Sequence, residues 1–166
     1  MKFLLDSNTL IEAKNRYYDM TVCPAYWEWI VHSNGKNNVA SIEMVAAELK
    51  KGNDELAKWV DANSSLFLSE SDEATQKCFS DVLQLLTAEA PKMKAGAFDV
   101  FVAGADPWLI AKAMAINATV VTHEVFNLDI LKRFTIPNVC TKLGVPYINT
   151  FQLLSQLDAR FVLKAA

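Results

Sequence analysis

The chain alternates short apolar runs with longer amphipathic stretches. Phe3-Leu4-Leu5 is a continuous apolar run that stops at Asp6-Ser7-Asn8, and it reads as a buried strand with polar groups at its C-terminal end. Ser7 or Asn8 can then cap a helix through Leu10, Ile11 and Ala13. A polar and aromatic stretch runs from Asn15 to Met20. Tyr26, Trp27 and Ile30 then fall at helical spacing, before the turn chemistry of Asn34-Gly35-Lys36-Asn37-Asn38. Val39-Ala40-Ser41 predicts a second strand. Ser41 is placed to cap a helix holding Ile42, Val45, Ala46 and Leu49, which Gly52 ends after Lys50 and Lys51. Asn53 can cap a helix with Leu56, Trp59 and Val60, and Leu66-Phe67-Leu68 is a small strand or apolar linker. Ala74, Cys78, Val82 and Leu85 mark an amphipathic helix, and residues 88–97, with Pro91 and Gly96, read as a loop.

The stretch from Val102 to Ala113 is apolar with one carboxylate, Asp106, followed at once by Pro107. Pro suits the first helical position and Asp the cap before it, so a helix begins here and ends near Asn117. Leu109, Ile110, Ala113 and Met114 would face a core. Asp106 is then either a cap or a site residue. Ala118-Thr119-Val120-Val121 is a β-branched strand running into Thr122-His123-Glu124. Pro137 and Asn138 start a short helix that Gly144 ends. Pro146-Tyr147-Ile148 is a last strand, and Thr150 can cap a helix through Phe151, Leu154 and Leu157. Strands alternating with helices predict an α/β protein with a parallel sheet. No repeat and no linker interrupts the chain, so residues 1–166 form a single domain.

Composition sharpens this. Hydrophobic residues make up 52% and charged residues 21%, as in a globular chain. No apolar run approaches the roughly 20 residues of a membrane helix. The opening run meets Asp6 too soon for a signal peptide, so a cytoplasmic protein is expected. Cys23, Cys78 and Cys140 fit neither a zinc spacing nor a disulfide framework and are expected as free thiols. A net charge of −3 argues against a general electrostatic grip on nucleic acid. It leaves room for a local basic rim, for which Lys14 with Arg16, Lys50 with Lys51, and Lys132 with Arg133 are candidates. Trp27, Trp29, Trp59 and Trp108 could stack bases, but Trp27, Trp59 and Trp108 have apolar neighbours at helical spacing and read as core. His123 reads as structural or exposed rather than as a ligand.

Two predicted strands end near acids, Asp6 and Glu124, and two helices carry acids near the core, Glu48 and Asp106. If the strands are neighbours, these carboxylates converge at one end of the sheet, where open α/β sheets bind ligands. Unpaired, they would raise one another's pKa. Hard cations such as Mg²⁺ or Mn²⁺ remove that cost. Two of them about 4 Å apart can clamp the attacking and leaving oxygens of a phosphodiester. Asn8 and Thr122 would then orient the ligands or position water.

The set Leu5-Asp6-Ser7-Asn8, Val45-Ala46-Ala47-Glu48-Leu49, Ala105-Asp106-Pro107-Trp108-Leu109-Ile110-Ala111 and Val121-Thr122-His123-Glu124 resembles the four acidic motifs of PIN-domain nucleases, in order, over nearly the whole chain. Pro107-Trp108 and Ile11-Glu12-Ala13-Lys14 resemble a bacterial branch of that superfamily. The resemblance implies a Rossmann-like three-layer α/β/α sandwich with a central parallel sheet of four or five strands. It also implies Mg²⁺ or Mn²⁺ held by Asp6, Glu48, Asp106 and Glu124, and hydrolysis of RNA. Many small bacterial members are toxins paired with an antitoxin, and members often form homodimers. Glu124 departs from the Asp common at the fourth position. Two other readings compete. One is a PIN-like binding module without activity. The other is an acidic-pocket phosphotransfer or phosphatase domain, for which Asp6-Ser7-Asn8-Thr9 lacks the second Asp.

Overall fold

The computed structural model of the protein describes residues 2–162. Five strands, β1 (Phe3–Leu5), β2 (Val39–Ile42), β3 (Phe67–Leu68), β4 (Thr119–Val121) and β5 (Tyr147–Ile148), form one sheet in the order β3-β2-β1-β4-β5. Every pairing is parallel. β1, β2 and β4 are buried along their whole length, as expected of strands covered on both faces.

The chain moves outward from β1 to β2 and β3, then crosses back past β1 to β4 and β5. Right-handed crossovers in opposite directions put the connecting helices on opposite faces of the sheet, which gives the α/β/α layering. The first direction uses α1 (Ser7–Glu12), α2 (Pro24–Gly35), α3 (Glu43–Lys50) and α4 (Glu55–Ala62). The return uses α5 (Glu73–Glu89), α6 (Ala97–Val102) and α7 (Asp106–Ile116), followed by α8 (Ile136–Leu143) and α9 (Thr150–Gln156). Asn117 and Gly144 close α7 and α8 in the left-handed region, at φ 52° and 69°.

α7 is the buried helix of the fold. Leu109, Ile110 and Ala113 are in the core as expected, and Met114 packs against it half-buried. α7 lies along α5, with Trp108 stacked on Phe79 at a centroid distance of 3.6 Å. Lys112 is also buried, and its Nζ lies 2.5 Å from Asp72 Oδ2 at the start of α5. Trp27 is buried and meets Trp59 edge-on at 5.0 Å. Among the described residues no helix is long and apolar enough to cross a membrane. The three cysteines are free thiols.

Several expected helix starts shift by a residue, and at Ser41 and Thr150 a tertiary partner claims the side chain. Ser7 and Asn8 lie inside α1, whose cap position is Asp6. Ser41 stays in β2 and its Oγ donates to Leu5 O at 2.6 Å, leaving Ile42 at the cap of α3. That helix is instead held by Glu70, whose Oε1 accepts from Met44 N at 2.8 Å. Asn53 turns with φ 49° and Asp54 caps α4. Asn149, in a capping box with Gln152, replaces Thr150 at α9. The expected loop over 88–97 is partly helical: α5 runs to Glu89, Ala90–Lys92 forms a 3₁₀ turn, and α6 begins at Ala97.

Candidate active site

The strand order reverses between β1 and β4, and ligands of open α/β sheets bind outside the carboxyl ends of strands at such a switch point. Asp6 follows β1 directly and Thr122 follows β4 directly. Leu5 pairs with Val121, and Asp6 N donates to Val121 O at 3.0 Å, so the two chain ends leave the sheet side by side. Asp6 is buried, and Thr122 Oγ1 donates to its Oδ2 at 2.9 Å. Asn8, in the first turn of α1, places its Nδ2 3.4 Å from Thr122 Oγ1 and accepts from His123 N at 3.2 Å through Oδ1. Asn8 and Thr122 therefore orient Asp6.

Asp106 occupies the first turn of α7 but does not act as its cap. The cap position is Ala105, and the Asp106 carboxylate takes no hydrogen bond from a described residue. Burial, then the charges of Asp6, Glu124 and Glu48, push it up to about 8, against the pull of Arg133. Asp6 is pushed up to about 7, first by burial and further by Glu124 and Glu48, while the Thr122 hydrogen bond works the other way. Four carboxylates thus share one electrostatic environment without enough positive charge to balance them.

Glu48 and Glu124 are tethered. Ala105 N donates to Glu48 Oε1 at 2.9 Å, which ties α3 to the start of α7. Glu124 Oε2 accepts from Ile136 N at 2.8 Å in the first turn of α8, and its Oε1 lies 3.4 Å from Arg133. The donor set suits a hard dication in kind: oxygen ligands only, two of them held partly protonated near neutral pH when no cation is bound. As the side chains stand, no group of three or more His, Cys, Asp or Glu among the described residues is placed to hold a metal ion. Asn8, Glu12, His123, Glu124, Arg133 and Thr135 line an open cleft of about 850 Å³ beside these acids.

The expected basic rim is mostly consumed by ion pairs. Lys14 meets Asp54, Arg16 lies 3.3 Å from Glu12, and Lys50 lies 2.6 Å from Asp61. Arg133 alone of these candidates reaches the site. Sequence reasoning could see Arg133 only as rim charge, and it missed the backbone donors of Ala105 and Ile136, which carry no side-chain signature. His123 is half-buried, with Nε2 3.0 Å from Thr150 Oγ1, and burial lowers its pKa.

Residues 3–161 match the family model described as a domain of unknown function, DUF4411. No curated protein matches the chain. Similar solved structures include VapBC2 from Rickettsia felis bound to a DNA fragment from their promoter, with TM-score 0.55 and 18% identity, covering 90% of this chain and 98% of that one. FitAcB from Neisseria gonorrhoeae gives 0.52 and 16% over 90% and 98%. VapBC-1 from nontypeable Haemophilus influenzae gives 0.51 and 16% over the same shares. At these identities the likeness is one of fold. This chain therefore belongs to the DUF4411 family and is built on the PIN-type α/β fold.

Proposed function

We propose that this protein is a Mg²⁺- or Mn²⁺-dependent endoribonuclease of the PIN type, acting as the toxin of a toxin–antitoxin pair. One observation carries this reading: the buried carboxylate of Asp6 and the half-buried carboxylate of Asp106 sit beside Glu48 and Glu124 at the switch point of the sheet, and burial with the neighbouring acids pushes them up to about 7 and about 8. A cluster so short of positive charge is costly in the folded protein and becomes favourable once cations enter it. Asp6, Glu48 and Asp106 would hold the metal, with Glu124 at its edge. Bound ions would supply the clamp on attacking and leaving oxygens and an activated water.

The chain's own residues do the rest. Thr122, backed by Asn8, fixes the orientation of Asp6. Asp6 and Asp106 would hold the ion in their ionised form, so binding it would release any protons they carry. Arg133, exposed at the cleft, can leave Glu124 for a phosphate oxygen of the substrate. The paired names VapBC2, FitAcB and VapBC-1 agree with a chain that works beside a partner protein. A homodimer and a cytoplasmic place of action go with the same reading.

The test is cleavage of mixed single-stranded and structured RNA with Mn²⁺, alongside calorimetric titration of Mn²⁺ into the metal-free protein. Metal-dependent cleavage that Asp6→Asn abolishes is expected. The absence of a closed ligand group among the described residues favours a second reading, a PIN-like module that binds without cleaving. That reading predicts no Mn²⁺ binding at the acids and no cleavage.

A further inference from the structure

Most aromatic rings in this molecule are spent on one another in the interior. Trp27 meets Trp59, Tyr18 stacks on Tyr26 at 4.2 Å, and Phe79 stacks on Trp108. One cluster keeps free surface. Tyr17 and Phe151 are 49% and 48% exposed and meet edge-on at 5.3 Å, and the His123 ring lies 6.0 Å from Tyr17 and 6.1 Å from Phe151.

Two features hold these rings in place. Tyr17 ends a π-helical segment, Ala13–Tyr17, closed by Tyr18 N donating to Ala13 O at 2.6 Å. Such wide turns cost helix geometry and recur at functional sites. The His123 ring is pinned by Thr150 Oγ1, next to Phe151 at the start of α9. The cluster also joins the acidic site directly. His123 N donates to Asn8 Oδ1, Asn8 touches Thr122, and Thr122 holds Asp6, while His123 itself lines the cleft.

We infer that Tyr17, Phe151 and the His123 ring form a stacking platform for a base of single-stranded RNA, beside the carboxylates of the cleft. This rests on the nuclease reading above and narrows its substrate. The charge distribution supports it. The chain carries a net charge of −3, and of the candidate rim cations Lys14, Arg16 and Lys50 are already paired while Arg133 alone reaches the site, so few cations are on hand to grip phosphates. Base stacking on aromatic rings is sequence-tolerant and independent of phosphate charge. It requires an unpaired base, which a duplex hides.

The probe is a fluorescently labelled single-stranded oligoribonucleotide, followed by anisotropy with Ca²⁺ present to offset carboxylate repulsion, and by cleavage with Mn²⁺. Tyr17→Ala should weaken binding roughly tenfold, within the range of one lost base stack, and raise KM by a similar factor with kcat nearly unchanged. Phe151→Ala should act in the same direction, and Tyr17→Phe should restore wild-type binding. Replacing bases by abasic residues, one position at a time, should find one position at which wild type and Tyr17→Ala bind alike. Circular dichroism melts confirm that each variant is folded. If wild type binds and cleaves RNA while both alanine variants match it, the platform is refuted and the nuclease reading stands. If wild type neither binds nor cleaves any RNA, the nuclease reading falls and the platform falls with it. Equal affinity for duplex and single strand, undisturbed by either alanine, also overturns the platform.

Discussion

At Asp106 the choice between helix cap and site residue has a physical answer. A capping Asp accepts a backbone N–H bond and so has its pKa lowered. Asp106 has no such bond and is pushed up to about 8. Asp106→Asn should therefore leave the metal-free fold as stable as wild type or slightly more so, and abolish Mn²⁺-dependent cleavage. Thermal melts in EDTA and an RNA cleavage assay check both halves; a clear loss of stability would return Asp106 to a capping role. Thr122 offers a second test. Thr122→Val keeps the shape and loses the hydroxyl that holds Asp6, so metal affinity or activity should drop roughly 10–100-fold, while Thr122→Ser should keep most of it. The four acids were legible in the sequence through spacing and resemblance. The partners that hold them were less so. Glu48 is fixed by the N–H of Ala105, and Glu124 by the N–H of Ile136, groups that every residue but proline has and that only the fold selects.

Among the elements, the interiors were readable and several of the helix starts were not. β1, β4 and α7 follow from apolar runs and periodicity, and the close of α8 at Gly144 follows from a residue that tolerates positive φ. The starts moved because capping is decided by whichever partner is nearer in space: Ser41 was taken by Leu5 O, and Thr150 by His123. α6 has too few residues to show a period, and the π turn at Ala13–Tyr17 mimics an irregular polar stretch. The bond from Ala105 to Glu48 gives an element-scale test. Glu48→Gln keeps an acceptor oxygen and should leave the metal-free melting temperature nearly unchanged while weakening stabilisation by Mn²⁺. Glu48→Ala orphans a buried N–H and should cost about 1–3 kcal/mol in urea unfolding. Equal stability in the two variants would mean that the bond does not join α3 to α7.

For the whole molecule, the acid cluster ties stability to pH. Asp6 and Asp106 titrate in the folded state at about 7 and about 8, while the ordinary Asp value of the unfolded chain is about 4. Between these values the folded state holds more protons than the unfolded one. The contribution of the pair is therefore present in full below pH ~4 and is lost as pH rises through the folded values. In EDTA the melting temperature should fall between pH 5 and pH 8.5. Mn²⁺ binds the ionised form, so it should raise the melting temperature most at the alkaline end. A flat profile without metal, or an equal Mn²⁺ effect at both ends, would place the titrating groups elsewhere.

The hydrogen bond from Thr122 to Asp6 joins residues 116 positions apart, because β1 finds one of its two neighbours early in the chain and the other late. Contacts of such long range form slowly, since a long loop must close before any pairing rewards it. On the ribosome, β1 can pair with β2 once the first quarter of the chain has emerged, and its other edge then waits for β4. Until β4 arrives, Asp6 lacks its Thr122 tether. A nascent chain, or one truncated before Thr122, therefore has a partial sheet and an incomplete acid cluster. If the protein is a toxin, translation itself delays its activity until nearly all of the chain has been made.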